Sequence, residues 1–136
     1  MTDELYPAVT RELAHMRREL APGAAAAFHD FGKAVFAEST LSTKTKHIIA
    51  VAVAHVTQCA YCIRGHTKAA LRHGASNEEI MEAIWVAAEM RAGAAYAHSA
   101  LALDALARHR GLKAGEHAPA TDGGRVNAED HAGSPG

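Results

Sequence analysis

The chain has 136 residues, enough for one hydrophobic core and short for two, so a single domain burying roughly 65–70% of its unfolded surface is expected. Lys and Arg number 14 against 15 Asp and Glu, and the net charge of -1 provides no basic footprint for nucleic acid or an anionic membrane. Hydrophobic residues make up 49% but aromatics only 5%, so the apolar content is mainly alanine; this favours an all-α fold of compact antiparallel helices whose thin core is completed by homo-oligomerisation.

The N-terminal stretch "MTDELYPAVTRELAHMRREL" lacks the apolar core of a signal peptide, and no run of roughly 18 apolar residues occurs, so a cytoplasmic protein is expected. Between Glu4 and about Leu20, apolar residues Leu5, Ala8, Val9, Leu13 and Met16 recur at helical spacing and predict a first helix. "APG" at 21–23 breaks it. A second helix follows through "AAAAFHDFGKAVFAES", with Phe28, Phe31, Val35 and Phe36 as core anchors. "LSTKTKHIIAVAVAHV" has a possible N-cap at Ser42 or Thr43; its β-branched residues would suit a strand, but its length and lack of turn residues predict a helix. "TQCAYC" marks a short break before a helix that ends at Gly74. "SNEE" forms a capping box, Ser76 as N-cap and Glu79 three residues on, opening a helix from Ile80 to about Arg108. Met81, Trp85 and Met90 on it are core or subunit-contact residues. Beyond Gly111 the chain gains Gly, Pro and charge, which divides it into a helical domain of residues 1–110 and a flexible tail, 111–136.

The only two cysteines, Cys59 and Cys62, are too close in sequence to cross-link distant parts of the chain, and a reducing cytosol does not favour a lasting structural disulfide. The pair is expected to be chemical rather than architectural. If a helix begins near Gln58, steps of about 100° bring Cys59, Cys62 and His66 onto one face, with both sulfurs in a first turn whose unpaired amides favour thiolate. A thiolate there can attack a peroxide, and the neighbouring thiol can condense with the resulting sulfenic acid to form a disulfide. His66 is positioned to carry the proton. The bland reading is two buried small hydrophobes. A zinc site would take Cys59, Cys62 and His66 with His55 or His73 as fourth ligand. His47 is a polar residue at a helix start or a relay group. Tyr61 lines a pocket or packs. His15, His29, His73, His98 and His109 are expected at surfaces or interfaces.

Residues 41–95, "LSTKTKHIIAVAVAHVTQCAYCIRGHTKAALRHGASNEEIMEAIWVAAEMRAGAA", resemble the core of the AhpD-like alkylhydroperoxidase branch of the carboxymuconolactone decarboxylase family. The resemblance implies an all-helical fold, assembly into homotrimers or homohexamers, and peroxide reduction or disulfide exchange at the cysteine pair. It implies Cys62 as attacking thiol, Cys59 as resolving partner and His66 in the proton relay. Peroxidase members commonly carry a glutamate at the position of His47, and some carry histidine at that of Tyr61, so His47 or a carboxylate from Glu38, Glu82 or Glu89 is expected to complete the relay. The expected partners are a hydroperoxide and a small dithiol or redox-protein electron donor, with no metal and no cofactor beyond the dithiol. The competing expectations are a non-catalytic, zinc-binding or stress-associated helical oligomer, and a carboxymuconolactone-type decarboxylase.

Overall fold

The structure, a computed structural model, describes residues 5–111. Five helices and no strand occur among them: α1 (Arg11–Leu20), α2 (Pro22–Phe36), α3 (Thr43–Thr57), α4 (Ala60–Arg72) and α5 (Asn77–His109). The all-α expectation stands. The expected tail, apart from Gly111, lies outside the described residues, as does Glu4.

Local chemistry sets the helix ends. The first helix does not begin near Glu4. Pro7 interrupts the apolar spacing, and Thr10 caps α1 by accepting the Leu13 N–H at 3.2 Å, so Leu5, Ala8 and Val9 lie outside the helix. Pro22 opens α2, where its missing N–H would have gone unpaired in any case. Ser42 caps α3 through the Thr45 N–H. The capping box before α5 is reciprocal: the Ser76 Oγ accepts from the Glu79 N–H at 3.0 Å, and the Ser76 N–H donates to Glu79 Oε2 at 2.8 Å.

The chain divides into two compact units, Met1–Ala95 and Tyr96–Gly136. In the first, α3 and α4 are the most closely packed pair of helices, and α2 lies against both α1 and α3. Its small core joins Val51 of α3, Ala70 of α4, Ala75 and Ile80, with Ile48 and Ile84 packed against it. Alanine allows this close approach but buries little area, so among the described residues Val51 is the largest side chain that is fully buried. The phenylalanines are not the anchors that their spacing suggests. Phe28 is 76% and Phe31 64% exposed, Val35 is exposed too, and only Phe36 is half-covered, because no element among the described residues covers the side of α2 that carries the other three. Met81, Trp85 and Met90 are likewise exposed. In the second unit the described residues complete α5, with Arg108 Nε donating to Asp104 Oδ2 at 2.7 Å one turn back. Among the described residues no helix is long and apolar enough to cross a membrane.

Candidate functional site

The elbow between α3 and α4 places the cysteines. Gln58 adopts a left-handed conformation (φ 57°, ψ 39°) that stops α3, and Cys59 takes the N-cap of α4. The helix therefore begins two residues later than Gln58, and Cys59 stands at its mouth rather than on its face. The sulfurs still meet: Cys59 and Cys62 are bonded as a disulfide, with Cα atoms 5.2 Å apart. The Cys62 N–H also donates to the Cys59 Sγ at 3.2 Å, so sulfur does the capping that a serine oxygen does elsewhere. Cys62 is exposed and Cys59 half-buried.

His66 follows Cys62 by four residues on α4, on the same face of the helix. Its Nδ1 lies 3.0 Å from the Nδ1 of His47, which α3 provides. One of these nitrogens donates and the other accepts. Phe36 of α2 stacks on both rings, with centroids 4.5 Å from His47 and 4.9 Å from His66. The aromatic lid and the surrounding helices lower both pKa values below the ordinary 6.5. Burial is the main cause for each, and for His47 the nearby charges of His66, His73 and Arg72 add to it. Both imidazoles are thereby held neutral near pH 7 and can take a proton.

The structure brings together His66 and His47 and adds two residues for which the sequence had suggested other places. His73, expected at a surface or interface or as a fourth zinc ligand, has its ring 5.3 Å from that of His47 while its Nδ1 donates to the Ala69 carbonyl at 2.9 Å. Phe36, assigned to the core, roofs the histidine pair. Contacts between different helices carry no linear signal; only the spacing of His66 and His73 by two helical turns hinted at a shared face.

The remaining candidates make other contacts. The Tyr61 hydroxyl donates to the Pro7 carbonyl at 2.9 Å, and its ring meets Tyr6 edge-on at 5.9 Å, tying the segment before α1 to the start of α4. His55 turns its Nδ1 onto the Val51 carbonyl of its own helix at 2.7 Å. Glu38 accepts the Thr43 N–H at 2.8 Å; this hydrogen bond lowers its pKa and fits it to cap α3. Glu82 lines a separate groove with Ile48 and Ile49, and Glu89 is exposed on α5. Among the described residues no group of three or more His, Cys, Asp and Glu side chains is arranged to hold a metal ion.

The sequence matches the model of the carboxymuconolactone decarboxylase family over residues 22–105, more than half of the chain. A Paracoccus denitrificans protein described as "Uncharacterized protein 4 in cox locus" is 66% identical over 80 residues, 59% of this chain and 72% of that protein. A crystal structure of a Methanobacterium thermoautotrophicum protein superposes with a TM-score of 0.58 at 36% identity, covering 61% of this chain and 93% of that one. A second, of a Thermotoga maritima protein, gives a TM-score of 0.57 at 28% identity, covering 76% and 93%.

Proposed function

This chain belongs to the carboxymuconolactone decarboxylase family, and we propose that within it the Cys59–Cys62 pair acts as a thiol-dependent hydroperoxide reductase and dithiol–disulfide oxidoreductase. The observation that carries this is the junction of two reactive elements: a cysteine pair at the mouth of α4, and, four residues along the same helix, a neutral imidazole backed by a second.

In the reduced protein, His66 takes the thiol proton of Cys62. The thiolate attacks the terminal oxygen of the hydroperoxide, the O–O bond breaks, and the alkoxide leaves as alcohol with the proton from His66. Cys59 then attacks the sulfenic sulfur; hydroxide departs with the Cys59 proton as water, and the disulfide forms. An external dithiol restores the pair by attacking the exposed Cys62 sulfur. The sulfur that leaves is Cys59, and its negative charge falls where the Cys62 N–H and the helix N-terminus stabilise it. The second donor thiol completes the exchange. His66 has one ring nitrogen engaged by His47, which leaves Nε2 to serve the sulfur. His47 thus fills the relay place that a glutamate holds in the peroxidases this chain resembles, while Glu38 is occupied in capping α3.

A reducing compartment such as the cytoplasm would provide the donor thiols, and the exposed Trp85, Val86 and Met90 of α5 provide apolar surface for assembly into homotrimers or homohexamers. Thiol counting tests the chemistry. Fully reduced protein given one equivalent of cumene hydroperoxide should lose both thiols and release the alcohol; two thiols remaining would end the proposal. Stoichiometric metal in protein purified without added metal would favour the zinc-binding alternative. Lactone decarboxylation surviving replacement of both cysteines by serine would favour the decarboxylase.

A further inference from the structure

A groove of about 1150 Å3 between α1 and α2 reaches His47 at one end. Its lining has one sign of charge: Arg17 and Arg18 of α1, Lys33 of α2 and Arg72 of α4 border it, and no Asp or Glu does. Among the described residues none of these four cations has a carboxylate within ion-pair distance, although other basic residues do. The walls between them are apolar, built from Phe28, Phe36 and alanines of α2. Pockets for organic ligands typically hold about 300–1,000 Å3, so this groove has room for an acyl chain.

We propose that the groove binds an amphipathic organic anion, an alkyl chain bearing a carboxylate, with the head among the four cations and the chain along Phe28 and Phe36. A small inorganic anion would leave the apolar walls wet, and a neutral alkane would leave four cations unmatched; only a ligand with both parts satisfies the groove. The inference stands beside the peroxidase reading and does not depend on it: the groove borders Phe36 and His47, and none of Cys59, Cys62 and His66 lines it.

Decanoate, which carries no peroxide, tests binding on the oxidised full chain by calorimetry, so a failure of the thiol chemistry leaves this result readable. It should saturate at one per chain, and both 1-decanol and acetate should bind about tenfold or more weakly. Raising the salt from about 0.05 to 0.5 M should weaken decanoate binding. Arg17→Gln with Arg18→Gln should weaken it about fivefold, while Arg17→Lys with Arg18→Lys keeps it; circular dichroism checks that these variants fold. Equal binding of decanol and decanoate, no saturable binding, or no loss in the glutamine pair would overturn the assignment. Decanoate binding in a protein whose thiols ignore peroxide would keep the groove and remove the peroxidase.

Discussion

The Nδ1 of His47 on α3 lies 3.0 Å from the Nδ1 of His66 on α4, a contact that requires one ring to be a donor and the other an acceptor. A single added proton can be shared across it. Two would set N–H against N–H, so the pair can take up one proton without losing its hydrogen bond.

That arrangement makes both histidines kinetically visible. His66→Ala should slow peroxide-driven thiol loss by about a hundredfold, in the ordinary range for a lost acid–base group. His47→Ala should slow it less, and His47→Glu, which restores the carboxylate of the resembled peroxidases, should be faster than His47→Ala. Stopped-flow tryptophan fluorescence or thiol titration would follow the step; a change under about threefold in His66→Ala removes that residue from the mechanism.

Acid should weaken both reaction and fold. Each imidazole has its folded pKa lowered, with burial as first cause, so between that value and the unfolded 6.5 the unfolded chain binds more protons. Their contribution to stability is therefore complete above about pH 6.5 and is lost as the pH falls through the folded values. Urea midpoints from pH 8 to 5 should decline more steeply in the wild type than in the His47→Ala, His66→Ala double variant. Parallel curves would mean that the pair does not titrate as described.

In the proposed cycle the two sulfurs have unequal roles. Cys62→Ser should abolish peroxide consumption, whereas Cys59→Ser should stop at a sulfenic acid on Cys62 that dimedone traps and mass spectrometry locates. Dithiol-supported turnover at the normal rate in either variant is incompatible with a two-cysteine cycle.

The cap of α5 contributes to stability away from the site. Ser76→Ala removes the oxygen that accepts the Glu79 N–H and should cost about 1 kcal/mol, a fall of a few degrees in Tm. Val51→Ala, in the fully buried position between α3 and α4, should cost about 2 kcal/mol. If Ser76→Ala proves the costlier change, the core has been misplaced.

What was legible in the sequence follows from the range of the forces involved. Ser42, Ser76 and Gly74 act within four residues, so the starts of α3 and α5 and the end of α4 could be read directly. Pro7 and Thr10 are equally local, but the apolar spacing of Leu5, Ala8 and Val9 masked them and drew α1 too early. The exposure of Phe28 and Phe31 depends on what covers α2, and hydropathy does not carry that. Cys62 and His66 could be placed on one face because one turn of α4 relates them, whereas a helix start drawn two residues too early put Cys59 on that face as well; His73 and Phe36 join His47 only through packing between helices.

Cys59 is both the cap of α4 and one half of the disulfide. The Cys62 amide faces a bridging sulfur in the disulfide form, and reduction would replace it with a free one, so its proton resonance should move with the ambient potential. The peptide backbone thus carries its own redox indicator, readable by nuclear magnetic resonance without a label.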